Sequence, residues 1–265
     1  MPPALTRALA WPRSILVYLL LSLYILLVGP PALIVAVALR RQRLLVALGL
    51  AGLRVFRRIL GLRYDIDGLD HVDGHRPTVY CMNHASDVDV VVYDVLSWKQ
   101  RRLKGLYKAE LDRIPIFNLV LKVVDFVALQ RGNREQTDQA IACATSMLRA
   151  GDSFLIAPEG TRSRTGELLS FKRGAFVMAI GAQVPIVPIA IAGGREAMPR
   201  GSAVIRPAVL RIRIGEPIPT TGLTDADRES LMGLVRDRIG ALLRQACSDS
   251  GESSATSHPM PTTSK

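Results

Sequence analysis

The chain begins with an almost unbroken apolar stretch. From Ser14 to Leu39 no residue is charged, and these 26 residues are enough to cross a hydrocarbon core of about 30 Å at about 1.5 Å per residue. Gly29-Pro30-Pro31 interrupts the run, and consecutive prolines remove helix donors and clash with the preceding turn. A second apolar stretch, Leu44 to Leu53, follows the cluster Arg40, Arg41 and Arg43. The pattern admits one kinked span or a helical hairpin that dips into one leaflet and returns. The Gly-Pro-Pro break favours the hairpin. Arg7, Arg13 and Ala36-Val37-Ala38 also suit a cleaved signal peptide, but the run is longer than the apolar core of about 7–15 residues such peptides carry.

From about residue 61 short β-rich runs alternate with helical stretches. The runs are Thr78–Met82, Leu103–Tyr107, Asp125–Leu129, Ser153–Ala157, Ile186–Ile191 and Val209–Ile214. Asn133 with Gln136 resembles a capping box that opens a helix ending near Gly151. Thr224 is placed to cap a last helix, with Leu231, Leu234, Val235, Ile239 and Leu242 on one face. This alternation predicts an α/β domain with a largely parallel central sheet flanked by helices. The expected organisation is a membrane-embedded helix pair over 1–60, an α/β domain over 61–247 and a disordered Ser/Thr/Pro-rich tail over 248–265.

Composition narrows the class. Apolar residues make up 49% of the 265, too many for a disordered chain. One long apolar stretch rules out a polytopic transporter. The three cysteines are widely spaced, with no Cys/His cluster, so neither a disulfide framework nor a zinc site is expected; ordinary buried thiols are. The net charge of +11 is unevenly placed: residues 1–60 hold eight arginines and no acid, and the rest has 26 basic against 23 acidic residues. Charge that flanks an apolar run suits anionic lipid headgroups. A nucleic-acid binder would stripe it over the folded domain, so no nucleic-acid partner is expected.

Four segments carry candidate chemistry. Asn83-His84-Ala85-Ser86-Asp87-Val88-Asp89 follows a predicted strand. With Ser86 or Asp87 as N-cap, Asp89 falls in the first helical turn. Helical side chains lean towards the N-terminus, so Asp89 is able to reach one nitrogen of His84. A carboxylate there fixes the tautomer and leaves the other nitrogen free to take a proton from a hydroxyl. The same spacing also suits a surface loop with a capping Asp. Ala157-Pro158-Glu159-Gly160-Thr161-Arg162-Ser163 ends a buried-looking strand, where loops of open α/β sheets bind ligands. Gly160 permits close backbone approach, while Thr161 and Arg162 offer a hydroxyl and a fork suited to phosphate. Lys172 and Arg173 extend a basic cluster with Arg162 and Arg164; a solvated polar turn would read alike. Arg131, between a strand and a helix start, makes electrostatic sense if an anion sits there. Val184-Pro185-Ile186-Val187-Pro188-Ile189 reads as a structural strand whose prolines belong at an edge, a strand start or a bulge.

In this order and spacing the four segments resemble the glycerolipid acyltransferase family, the one that contains the 1-acylglycerol-3-phosphate acyltransferases. Its motif Asn-His-x-Ser-x-x-Asp matches Asn83, His84, Ser86 and Asp89; Pro-Glu-Gly-Thr-Arg-Ser matches Pro158 to Ser163. A loose match at Val127–Arg131 has Gln130 where the family usually carries an acid. The resemblance covers about residues 60–215 and implies an N-terminal membrane-dipping helix pair. It implies acyl transfer from acyl-CoA or acyl-carrier protein to the sn-2 hydroxyl of lysophosphatidic acid, giving phosphatidic acid. His84 and Asp89 would be catalytic, and Arg131, Glu159, Gly160, Thr161, Arg162 and Lys172 would bind the acceptor, with Glu159 orienting Arg162 or touching a glycerol hydroxyl. No metal and no cofactor beyond the donor is expected. Expected partners are membrane lipids at the cytoplasmic face of a bacterial-type inner membrane. Glycerol 3-phosphate or a lyso-aminolipid as acceptor, lipid hydrolysis with water at the same histidine, and a non-catalytic membrane protein on the same fold are the alternatives.

Overall fold

A computed structural model of the chain describes residues 10–130 and 132–252. Two helices come first: α1, Ala10–Ala38, and α2, Gln42–Leu60. Contrary to the expected break, Pro30 and Pro31 lie inside α1. The proline ring fixes φ near the helical value, so the cost is lost hydrogen bonds, which a long apolar helix tolerates. The chain reverses instead at Leu39–Arg41, where Arg40 takes φ 49° and the Arg41 N–H donates to the Ala36 carbonyl at 2.9 Å. Among the described helices only α1 is long and apolar enough to cross a membrane. In α2, Leu45, Phe56 and Leu60 are buried, and Arg54, Arg57 and Arg58 lie between them.

Seven strands form one sheet: β1 Leu62–Asp67, β2 Val79–Met82, β3 Leu103–Lys108, β4 Val127–Leu129, β5 Ser153–Ile156, β6 Ile186–Ala192 and β7 Ala208–Ile214. Their spatial order is β1-β7-β6-β2-β5-β3-β4. Every pairing is parallel except β6 with β7. The flanking helices are α3 Val91–Leu96, α4 Pro115–Val123, α5 Arg134–Arg149, α6 Gly174–Ala182, α7 Gly194–Ala197 and α8 Arg228–Glu252. The largely parallel α/β architecture expected from the alternation is the one observed.

The sheet separates two cores. Along β2, Tyr80 and Met82 point to one side, with Leu96, Val187, Ile189, Leu210 and Ile212. Val79 and Cys81 point to the other, with Leu148, Phe154, Phe176, Ile186, Val235 and Ile239. All four β2 residues are buried, as expected of a central parallel strand with helices on both faces.

Some expectations are corrected. β1 has no counterpart in the sequence reading; its alternating Leu-Arg-Tyr-Asp-Ile-Asp places charges outward on an edge strand beside β7. The proline-bearing segment is not at an edge: β6 lies between β7 and β2. In a strand that pairs in parallel, one residue's N–H and carbonyl point to the same neighbour. The Pro188 carbonyl accepts from Gly215 N at 2.8 Å, while the β6–β7 ladder starts only at Ile189. The missing N–H therefore faces the stretch beyond β7, where no ladder bond is lost. The last helix runs past 247 to Glu252; residues 253–265 lie outside the described residues. Leu231, Val235 and Ile239 of α8 are buried but Leu234 is exposed. Of the cysteines only Cys81 is buried, because Cys143 and Cys247 lie on outward faces of α5 and α8.

Candidate active site

The site is built where β2, β5 and β6 end, at the same edge of the sheet. After Met82, the Asn83 side chain extends the ladder to β6: its Nδ2 donates to the Ile191 carbonyl at 3.0 Å, and its Oδ1 accepts from Ile191 N at 2.8 Å. Ser86 then caps a 3-10 turn, Asp87–Val90, that leads into α3. Its Oγ accepts from Val88 N and donates to the Met198 carbonyl at 2.7 Å. Both lone-pair and proton of this hydroxyl are thus in structural use.

Asp89 is the third residue of that turn and is 1% exposed. Its Oδ2 accepts from Ala85 N and Ser86 N, both at 2.8 Å, and lies 2.9 Å from His84 Nδ1. These bonds fix the carboxylate, and the carboxylate fixes the ring. With Nδ1 as the donor to Asp89, Nε2 is the basic nitrogen; it has no hydrogen-bond partner among the described residues. The His84 side chain is 28% exposed. A hydroxyl is therefore able to approach the free nitrogen of a ring held by a buried carboxylate.

The loop after β5 packs against this turn. Ser163 N donates to the His84 carbonyl at 2.8 Å. Gly160 takes φ +67°, which a residue with Cβ adopts only under strain, and closes a turn through its N–H to the Ala157 carbonyl. The Lys172 stem passes 3.5 Å from the point where a Cβ on Gly160 would lie. Thr161 and Lys172 are exposed beside it.

Glu159 differs from expectation. It neither reaches Arg162 nor faces the open side of the site. It is 2% exposed, and its Oε1 and Oε2 accept from His84 N at 2.8 Å and Leu169 N at 2.9 Å. Burial pushes its carboxyl above the usual range, against the opposing pull of those two bonds. Glu159 is thus a clamp between the His84 turn and the loop. The Arg162 guanidinium pairs with Asp87 instead. Arg173 turns away from the expected basic cluster to Asp138 of α5, at 2.7 Å. Arg131 lies outside the described residues; β4, which precedes it, ends at the same edge of the sheet as β2 and β5.

Sequence reasoning missed the segment after β6. Arg195 donates to the Thr165 carbonyl, and Arg200 donates to the Arg162 carbonyl at 2.8 Å, so both bring positive charge to the loop. Gly194 packs directly on the Asp89 carboxylate: a Cβ there would lie 2.5 Å from Asp89 Oδ1. The Gly193-Gly194 pair was the only sequence signal of such a close approach.

Comparison with known proteins agrees with this geometry. The family model described as Acyltransferase matches residues 63–192, which includes the His84–Asp89 turn and the loop after β5 but not the segment after β6. The human 1-acyl-sn-glycerol-3-phosphate acyltransferase alpha is 30% identical over 196 residues, covering 72% of this chain and 67% of its own length. The human beta form is 32% identical over 182 residues, covering 68% and 64%. The chloroplastic 1-acyl-sn-glycerol-3-phosphate acyltransferase of Brassica napus is 36% identical over 157 residues; the chain spans 44% of its length. Among solved structures, the 1-acyl-sn-glycerophosphate (LPA) acyltransferase PlsC from Thermotoga maritima superposes with a TM-score of 0.74 over 89% of this chain and 96% of its own, at 21% identity. That likeness is one of fold. The chain belongs to the glycerolipid acyltransferase family and is an enzyme that transfers acyl groups.

Proposed function

We propose that the protein acylates the sn-2 hydroxyl of lysophosphatidic acid, using acyl-CoA or acyl-carrier protein as donor, and releases phosphatidic acid. The observation that carries this reading is the 2.9 Å contact between His84 Nδ1 and the buried Asp89 carboxylate, beside an arginine-bearing loop. Nε2 of His84 takes the proton of the acceptor hydroxyl as its oxygen attacks the thioester carbonyl. The tetrahedral intermediate collapses by breaking the carbon–sulfur bond, and the departing thiolate takes the proton back from the imidazolium. Asp89 stabilises that imidazolium and is not itself protonated. A thioester is already activated, so the chemistry calls for no acyl-enzyme, cofactor or metal. Arg162, Thr161, Lys172 and Arg131 are assigned to the acceptor's phosphate and glycerol, and Gly160 to the close turn that presents them. Glu159 serves the same site by holding its two halves together.

The reading includes a membrane. An enzyme that lifted its acceptor into water would work against about 0.8 kcal/mol per buried CH₂, more than about 10 kcal/mol for a long chain. The exposed apolar side chains of α1, among them Leu19, Leu23, Leu26 and Leu27, are suited to the bilayer. The arginines at 40, 41 and 43 are suited to its cytoplasmic surface.

Membranes that contain wild type or His84→Ala, offered a labelled acyl thioester with lysophosphatidic acid, glycerol 3-phosphate or a lyso-aminolipid, test this. Labelled phosphatidic acid from wild type, lost by about 10²-fold or more in the variant, is expected. Equal labelling by His84→Ala rejects the mechanism. Labelling of glycerol 3-phosphate alone rejects the acceptor.

A further inference from the structure

One acid at the site has no task in the reaction. Asp87 opens the 3-10 turn and receives a hydrogen bond from Arg162 Nη1. Its side chain is 57% exposed and that of Arg162 is 29% exposed, so its charge is open to solvent, unlike those of Asp89 and Glu159. Ser163, next to Arg162, is bonded to the His84 carbonyl. A headgroup held by Arg162 therefore lies close to both the reacting histidine and Asp87.

We propose that Asp87 is a specificity-determining residue: it weights the acceptor site against headgroups ending in a doubly charged phosphate and towards lysophospholipids whose phosphate carries an ammonium group. This rests on the acceptor reading above. Asp87 takes one of the five guanidinium N–H donors and leaves the rest for phosphate. A phosphate monoester brings about −1.5 to −2 charge at pH 7, and it meets the repulsion of Asp87 together with the attraction of Arg162. A phosphodiester bearing an amine brings one negative charge and an ammonium that Asp87 is able to pair with. For unit charges about 6 Å apart, at an effective dielectric of about 40–80, the preference changes about 3- to 10-fold.

Full-length wild type, Asp87→Asn and Asp87→Glu are assayed in phosphatidylcholine vesicles that hold lysophosphatidic acid and lysophosphatidylethanolamine together, with one labelled acyl thioester. The readout is the ratio of the two kcat/KM values, in which any common loss from folding or from Arg162 orientation cancels. Asp87→Asn raises the preference for lysophosphatidic acid about 3- to 10-fold, more at low salt than at high salt. Asp87→Glu stays within about 2-fold of wild type, since it keeps the charge. An unchanged ratio in an active Asp87→Asn overturns the assignment, as does an equal shift in Asp87→Glu or a wild type that yields no acylated lysophosphatidylethanolamine. A wild type that acylates neither lysolipid overturns the acceptor reading itself.

Discussion

At the scale of single residues the site is a set of carboxylates with different surroundings and therefore different work. Asp89 is buried against two backbone N–H groups and an imidazole. Glu159 is buried against two backbone N–H groups from separate segments. Replacing it with Gln puts an amide NH2 donor in place of one acceptor oxygen and leaves one of those N–H groups without a partner, at a cost of about 1–3 kcal/mol. That corresponds to a fall in Tm of roughly 2–10 °C for a chain of this size, read from thermal unfolding in detergent micelles. Burial raises the Glu159 carboxyl. A raised folded-state pKa adds stability that is fully present below the unfolded value and lost as pH rises through the folded one. Gln does not titrate, so the gap between wild type and Glu159→Gln widens as the pH is lowered through the carboxylate range. A gap that widens towards neutral pH contradicts a Glu159 carboxyl raised by burial.

At the scale of elements the His84–Asp89 turn is tied to α2 through α3. Asp94, 1% exposed, receives Arg54 Nε of α2 at 2.7 Å and the Tyr64 hydroxyl at 3.3 Å. Arg57 of α2 stacks 4.1 Å over the Tyr64 ring. The Arg54→Ala change leaves Asp94 buried with one neutral donor and is expected to cost about 2–4 kcal/mol; Asp94→Asn, which removes the buried charge, costs about 1. Urea unfolding in micelles measures both, and equal costs would show that the charge is not what binds α2 to α3. Nothing in the sequence pairs Arg54 with Asp94: they are forty residues apart and each sits in a different apolar pattern. The Asn133 cap, in contrast, was legible because its partner, Gln136 N at 3.1 Å, is local.

At the scale of the whole molecule the open question is where the domain works, and α1 supplies the test. Leu19 and Leu26 are 64% and 70% exposed, so aspartate at both positions leaves the packed faces untouched. In flotation with anionic vesicles the double variant is expected to bind at least about 10-fold less, since each buried leucine contributes about 1.5–3 kcal/mol. Acylation of a bilayer-held acceptor falls with it, while a short-chain acceptor dispersed in detergent is still used. Undiminished vesicle binding would remove α1 as the anchor.

Local patterns in the sequence were enough for the strand–helix alternation, the apolar α1 and the Asn133 cap, because each depends on residues within a turn or two of one another; they left the second cap to Ser86 or Asp87, and Asp89 either reaching His84 or capping a surface loop. Tertiary packing decided what those patterns do not encode. It carried α1 through its prolines, because its turn-closing bonds formed at Arg41 instead. It seated Pro188 in the middle of the sheet, because β7 ends beside it. It gave Glu159 to the backbone and Arg162 to Asp87, because loops distant in the chain meet only once the strands are in order.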